Sequence, residues 1–310
     1  MATKKRQYVY GPVPSRRLTH SLGVDLVPFK TCTYDCIYCQ LGRTTNKTLE
    51  RKEWVPLDRV LTELKAKLDR KPDYITLAGS GEPTLYSRIG ELILKIKELT
   101  DIPVAVLTNG SLLWIPEVRG GLMPADLVVP SLDAGSRAVF RYVNRPHADI
   151  AFGTMVEGLA EFREEYTGQY WLEVFLLNGV TTVEAELNML SHCLKVIEPD
   201  KVELNTATRP PAEDYVEPVP RARLEQIARY LGGKVEVIAA YPHEGTIESA
   251  RSSLDDIVSL LRRRPCSLQD IASGLGLAPN EVAKQVDRLM SEHKVRTTRH
   301  DEVLYYESTL

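Results

Sequence analysis

The chain has 310 residues, 43% of them hydrophobic and 26% charged, an ordinary globular profile with room for one large α/β domain and a small appendage. A net charge of −3 excludes a global pull toward nucleic acid or acidic membranes, and no apolar run approaches the roughly 18 residues that span a bilayer. The first residues, MATKKRQYVYGPVPSRR, lack the apolar stretch of a secretory signal, so a cytoplasmic protein without a membrane partner is expected. Charge is less even locally: residues 1–52 hold ten Lys/Arg against three Asp/Glu, a basic arm that is either solvated or turned to an anionic substrate.

Taken in chain order, short β-rich runs alternate with helical periodicities, the pattern of parallel βα units. SLGVDLVP (21–28) fits a first strand and is followed by a cysteine-rich loop. A helix is expected over 56–70, then a strand running into a glycine loop over 73–83. The next helix falls at 89–100, and the next strand, ended by Asn-Gly, at 102–110. Further strands are expected at 125–135, 171–179, 201–206 and 234–241, with helices at 149–166, 183–197 and 221–232. Six or seven parallel strands with intervening helices make an α/β fold, a partial or near-complete (β/α) TIM-like barrel over residues 1–245. Such folds carry their chemistry on the loops after the strand C-termini.

The pattern changes around 243–251. Three helical stretches (253–264, 267–276 and 279–294) precede two short alternating runs over 295–308, joined by His-Asp-Glu. Three helices and a hairpin make a small winged helix-turn-helix domain over 252–310, with 279–292 in the recognition position. Residues 251–310 carry nine Lys/Arg and nine Asp/Glu, so no basic footprint marks the module for nucleic acid. Protein contact and substrate presentation stand beside DNA or RNA binding as its roles.

Five cysteines, three of them clustered, argue against a disulfide framework and for metal chemistry. TCTYDCIYCQLG (31–42) places Cys32, Cys36 and Cys39 in a C-x3-C-x2-C spacing that matches neither zinc ribbons nor zinc fingers. Cys193 sits in an amphipathic pattern, where a buried hydrophobe is expected, and Cys266 lies in the C-terminal module. Three thiolates on one loop suit three irons of a cubane cluster, leaving a fourth iron open to a chelating molecule.

The loop resembles the signature of the radical S-adenosylmethionine (SAM) superfamily, C-x3-C-x-aromatic-C, with Tyr38 at the aromatic position. The resemblance covers about residues 8–240. It implies a [4Fe-4S] cluster on Cys32, Cys36 and Cys39, and SAM chelated at the open iron. It also implies an electron donor such as flavodoxin or ferredoxin, and reductive cleavage of SAM to methionine and a 5′-deoxyadenosyl radical that abstracts hydrogen. LAGSGEPTL (77–85) resembles the family's Gly-Gly-Glu-Pro segment, which implies that Gly79, Ser80, Gly81, Glu82 and Pro83 meet the SAM ammonium group; a tight turn would use the same glycines. The resemblance places Asn109, in LTNGS (107–111), near the SAM carboxylate or ribose. It places Ser131 and Asp133, in VVPSLDAG (128–135), near the ribose hydroxyls, with helix capping the competing job for Asp133.

Other rim residues are open to two uses. Glu173 lies inside an apolar strand, and a buried acid needs a partner. Asn205, Thr206 and Arg209 end the strand of LNTATRPP (204–211) before a proline-rich stretch that suits a lid; the resemblance counts Asn205 among the SAM-binding residues, and Arg209 is open either to the SAM carboxylate or a substrate phosphate or to solvent. Arg145 and His147, in RYVNRPH (141–147), are placed where a substrate can be met. GPVPSRRL (11–18), with the pair Arg16–Arg17, either closes the barrel bottom or covers the substrate.

GPVPSRRL, KTCTYDCIYCQLG, SGEP and LNT…RPP together look most like the oxidoreductase branch that contains the tRNA wyosine-base synthases. Those enzymes bind a second cluster through N-terminal cysteines, whereas this chain has none before Cys32. The substrate is therefore left as tRNA, a peptide or a protein. The rival from another class is a non-catalytic, redox-sensing iron–sulfur protein whose winged helix binds DNA; it leaves the GSGEP loop without a role.

Overall fold

The computed structural model describes residues 7–15, 17–239, 254–275, 277, 279–300 and 303–309. Arg16, the 243–251 junction and the Asp301–Glu302 part of the expected hairpin turn lie outside the described residues.

In chain order the elements are β1 (Val9–Ser15), β2 (Thr19–Val24), β3 (Thr31–Cys32), β4 (Asn46–Lys47), α1 (Leu57–Lys65), β5 (Tyr74–Leu77) and α2 (Ile89–Leu99). They continue with β6 (Val104–Thr108), α3 (Pro116–Leu122), β7 (Leu127–Pro130), α4 (Arg137–Val143), α5 (Phe152–Glu165) and β8 (Gln169–Leu176). Next come α6 (Glu184–Ile197), β9 (Lys201–Thr206), α7 (Arg221–Leu231) and β10 (Val235–Val237). The C-terminal set is α8 (Leu254–Leu261), α9 (Leu268–Leu275), α10 (Pro279–Ser291), β11 (Val295–His300) and β12 (Val303–Ser308).

Eight strands form one sheet in the order β1-β2-β5-β6-β7-β8-β9-β10. From β2 to β10 every pairing is parallel, which gives seven parallel strands, while β1 pairs antiparallel with β2. Among the described residues the order runs from edge to edge without closing, so the α/β fold is an open barrel of mostly parallel strands. YITL, VAVLT and LVVP in β5–β7 are almost wholly buried, as expected of strands covered on both faces. α2 packs on them through Ile89, Leu92, Ile93 and Ile96, a spacing that keeps one helical face apolar. Each such side chain stabilises by about 1.5–3 kcal/mol relative to exposure.

β8 differs, because its burial alternates: Tyr170, Leu172, Val174 and Leu176 are buried, while Trp171, Glu173 and Phe175 are half-buried. Period 2 puts the second set on one face. Arg17, on the turn joining β1 to β2, reaches that face and pairs with Glu173 at 2.8 Å and Glu203 at 3.1 Å. The GPVPSRRL segment thus engages Arg17 in ion pairs with two strands of the sheet. Glu203 also takes Lys201 at 2.8 Å, so the acids of β8 and β9 are neutralised from within the chain.

The C-terminal helices and hairpin bury their own apolar cluster, including Ile257, Leu261, Ile271, Val282, Val286 and Tyr306. Cys266 belongs to it, fully buried and bridged to Tyr306 through both backbone hydrogen bonds.

Candidate functional site

The three clustered cysteines lie between β2 and β4, Cys32 in the two-residue β3 and Cys36 and Cys39 on the loop that follows, at the C-terminal edge of the sheet, all half-buried. Tight local turns shape the loop: the Cys39 N–H donates to the Cys36 carbonyl and the Gly42 N–H to that of Cys39. Distant segments then pin it. The N–H groups of Asp35 and Ile37 donate to the carbonyls of Asn144 and Val143, and His147 N–H donates to the Thr33 carbonyl. From the proline-rich stretch after β9, Glu213 N–H donates to the Ile37 carbonyl at 3.0 Å.

Each sulfur has its own N–H donor. Lys30 Nζ lies 3.2 Å from Cys39 Sγ, Asn109 Nδ2 3.6 Å from Cys32 Sγ, and Asn144 Nδ2 3.5 Å from Cys36 Sγ. Burial, with Glu82 nearby, pushes the Cys32 thiol up to about 12. Burial and Asp133 push Cys36 well above the ordinary thiol range. Such thiols ionise when a cationic centre compensates the charge. Among the described residues no three His, Cys, Asp or Glu side chains are arranged to hold a single metal ion. A cubane asks for a different arrangement, with each thiolate on its own iron. Three soft sulfur ligands, each supported by a donor, fit that group.

The GSGEP loop after β5 is fixed by close backbone approaches. A Cβ on Gly81 would stand 1.8 Å from the Thr31 carbonyl oxygen, and one on Gly79, at φ +145°, 2.7 Å from Asp25 Oδ1. Only glycine fits either place. Asp25 accepts Ser80 N–H at 3.1 Å and Ser80 Oγ–H at 2.6 Å, while the Ser80 carbonyl accepts Lys30 N–H at 2.7 Å. Pro83 is buried at the start of a short 3-10 turn. Glu82 is buried with both oxygens bonded: Oε1 accepts Thr84 N–H, Thr84 Oγ–H and Thr108 Oγ–H, and Oε2 accepts Asn109 N–H. Burial raises this carboxyl and those donors oppose the shift. Glu82 thus joins the ends of β5 and β6 and sets Asn109 beside Cys32.

Tyr38 stacks on Phe175 with ring centroids 3.9 Å apart and donates its hydroxyl to Asp133. Asp133 also accepts Asn144 Nδ2 at 2.6 Å and Phe175 N–H at 3.1 Å. Burial lifts its carboxyl to about 6, with the Tyr38 and Asn144 hydrogen bonds pulling the other way. It does not cap a helix: Ser136 caps α4, and Glu186 accepts the Gly135 and Ser136 N–H groups. Ser131 bridges to Glu173 through the backbone, and Asn205 Nδ2 donates to Glu173 at 2.8 Å.

Three expected groups therefore come together: Glu82 with Asn109 and Cys32, Tyr38 with Asp133 and Cys36, and Ser131 with Asn205 at Glu173. Other rim residues have partners within the protein. Arg209 lies 3.6 Å from Asp270 and 3.4 Å from Gln40. Arg145 is held by Glu213 and donates to Tyr215. His147 faces Asp149 at 3.5 Å. Lys30 and Asn144 were not expected at the site. Their signal was thin: a lysine two residues before a cysteine, and one asparagine in RYVNRPH. Cys193 is buried on α6 in the main core and Cys266 in the C-terminal one, so neither joins the loop.

An open parallel sheet with a three-cysteine loop at its rim defines a class: residues 26–188 match the Radical SAM superfamily, and the chain belongs to that superfamily. Over 309 residues it is 31% identical to a UPF0026 protein of Methanocaldococcus jannaschii, covering 96% of this chain and 94% of that one. A sequence of Brachyspira hyodysenteriae bearing the name GTPase Obg is 39% identical over 307 residues, 97% of this chain, which spans only 45% of that relative's length. Among solved structures, a radical SAM methyltransferase from Sphaerobacter thermophilus shares the fold at a TM-score of 0.54 and 16% identity, covering 72% of this chain and 67% of that one. SuiB of Streptococcus suis bound to S-adenosylmethionine superposes equally at 0.54, with 15% identity over 70% of this chain and 50% of its own. The superfamily uses a [4Fe-4S] cluster and SAM, and these are the cofactors of this chain. Among the described residues no helix is long and apolar enough to cross a membrane.

Proposed function

We propose that the protein is a radical SAM enzyme that reductively cleaves SAM and modifies a tRNA, peptide or protein substrate. One observation carries the reading: three cysteine sulfurs on one loop, each supported by a separate N–H donor, with both other cysteines in distant cores. On this reading Cys32, Cys36 and Cys39 hold the cluster. Gly79, Ser80, Gly81, Glu82, Pro83, Tyr38, Asn109, Ser131, Asp133 and Asn205 form the SAM surface, Glu82 by positioning Asn109 and the glycine loop. When bound, the cluster supplies the electron that divides SAM into methionine and the 5′-deoxyadenosyl radical.

The chain's own residues shape the place where this happens. Lys30, Asn109 and Asn144 direct N–H groups at the sulfurs, which stabilises charge on them. Tyr38 and Phe175 form a stacked wall, and Asp133 ties that wall to Asn144. Residues 1–245 constitute the radical SAM domain and 252–310 a winged helix-turn-helix. Support for the latter is the order α8-α9-α10-β11-β12 around its own apolar cluster. Its balanced charge favours presenting a substrate over gripping a nucleic-acid backbone.

Anaerobic reconstitution followed by dithionite and SAM is expected to yield 5′-deoxyadenosine. No product despite a loaded cluster would sink the enzymatic reading, and cleavage retained by Cys36→Ala would sink the assignment of the loop. Deuterium moving into 5′-deoxyadenosine from labelled RNA but not peptide pools, or the reverse, decides the substrate class.

A further inference from the structure

A cleft of about 500 Å³ lies beside the cysteine loop, lined by Lys47, Arg137, Phe140, Arg141, Arg145 and His147 among others. None of the inner-face side chains Glu173, Phe175 or Asn205 lines it, so it is separate from the barrel mouth where SAM is placed.

The cleft is electropositive. Arg137 and Arg141 stand one helical turn apart on α4, exposed, and among the described residues neither has a carboxylate partner. Lys47 Nζ donates to the carbonyls of Arg145 at 3.2 Å and Pro146 at 3.4 Å, bonds that leave its charge uncompensated. Arg145 is held by Glu213, with Asp35 at 4.0 Å, and His147 faces Asp149. No Asp or Glu belongs to the lining itself.

The cleft also touches the cysteine loop. Lys47 pairs with Cys32 across β3 and β4. His147 N–H donates to the Thr33 carbonyl at 2.8 Å. The Phe140 ring meets Tyr34, which lies between Cys32 and Cys36, edge-on at 5.4 Å. Two side-chain contacts, Phe140 on Tyr34 and Arg145 with Asp35 at 4.0 Å, therefore join the cleft wall to the cluster-bearing loop.

We propose that this cleft is the docking face for a small acidic electron-transfer protein of the flavodoxin or ferredoxin type. The inference rests on the radical SAM reading and adds where the electron enters. Electron transfer weakens steeply with distance, so a carrier must dock where the cluster ligands approach the surface. Charge complementarity steers the encounter and fixes its orientation. The reduced carrier loses one electron, the oxidised cluster gains it, and no bond or proton need move between them. An RNA backbone would also favour the charge, but a substrate has to reach the barrel mouth, whose residues this cleft does not share.

The test uses the reconstituted full chain, wild type and Arg137→Glu/Arg141→Glu, with flavodoxin as the probe. Binding of oxidised flavodoxin is followed by titration calorimetry at two salt concentrations. Cluster reduction by flavodoxin hydroquinone and by dithionite is followed by stopped flow. The proposal expects about tenfold weaker binding and slower flavodoxin reduction in the variant, a flattened salt dependence, and unchanged dithionite reduction. It is overturned if the variant binds flavodoxin like the wild type, or if loss of tRNA binding is the only change. Arg137→Gln/Arg141→Gln gives a milder variant with the same expected direction should charge reversal disturb folding. Failure of the wild type to cleave SAM with dithionite would instead count against the radical reading, since carrier binding is measured independently.

Discussion

Arg263 Nη1 lies 3.1 Å from Asp25 Oδ2, and the same carboxylate holds both the N–H and the hydroxyl of Ser80. A residue just after α8 is thus one side chain away from the GSGEP loop. Arg263 also stacks over Tyr10 of β1, 3.5 Å from the ring centroid. The C-terminal module is therefore braced against the element that positions SAM on our reading.

Breaking this pair leaves a buried carboxylate with less compensation. Arg263→Met is expected to lower unfolding free energy by about 3 kcal/mol in urea denaturation, as when one partner of a buried pair is removed. Asp25→Asn in the same background should restore part of it, because the two sites are coupled. An unchanged single variant would show that the pair carries little stability.

Gly81→Ala places a methyl group against the Thr31 carbonyl, next to Cys32. Overpacking of this kind costs about 1–3 kcal/mol, and here the displacement falls on the cysteine loop. Iron content after reconstitution should drop together with thermal stability. A variant that loads iron normally would show that the loop tolerates the shift.

Asn144 supplies one donor to Cys36 and one to Asp133. Asn144→Leu is expected to lower cluster retention or SAM cleavage by about 10–100-fold, as for other residues that orient metal ligands. A more negative midpoint potential should accompany it, measured by redox titration, since a lost donor destabilises the more negatively charged reduced state.

Asp270 ties α9 to the barrel. Burial raises its carboxyl, but Arg209 and the hydrogen bonds from Ser267 more than offset this and hold it below the usual range. A depressed folded value contributes stability above the unfolded value of about 3.9, lost as pH falls below it. Denaturation midpoints at pH 7 and pH 3.5 should differ less in Asp270→Asn than in the wild type. An equal acid loss in both would assign the effect elsewhere.

The βα alternation was legible because the period changes from 2 to 3.6 between apolar runs. β1 was not, since Gly11, Pro12 and Pro14 interrupt it and its pairing is irregular between Tyr10 and Val13; proline of this kind suits an edge strand. α3 and α4 are seven residues each, too short to show a helical period. At the site, the cysteines and the glycine loop were readable because their chemistry is local. The donor Asn144 was not, because an amide 108 positions from its sulfur leaves no spacing to read, and Lys30, nine residues before Cys39, carries no motif that sets it apart from other lysines. Glu82 was legible as a site residue, but its engagement by Thr84, Thr108 and Asn109 depends on tertiary structure.

The Glu213 tie to Ile37 has a consequence for biosynthesis. While the chain is being made, Cys32, Cys36 and Cys39 emerge long before the residues that cover their loop, and the last of those ties lies 176 positions after Ile37. The loop therefore has its full set of anchors only once residue 213 of the 310 has been made.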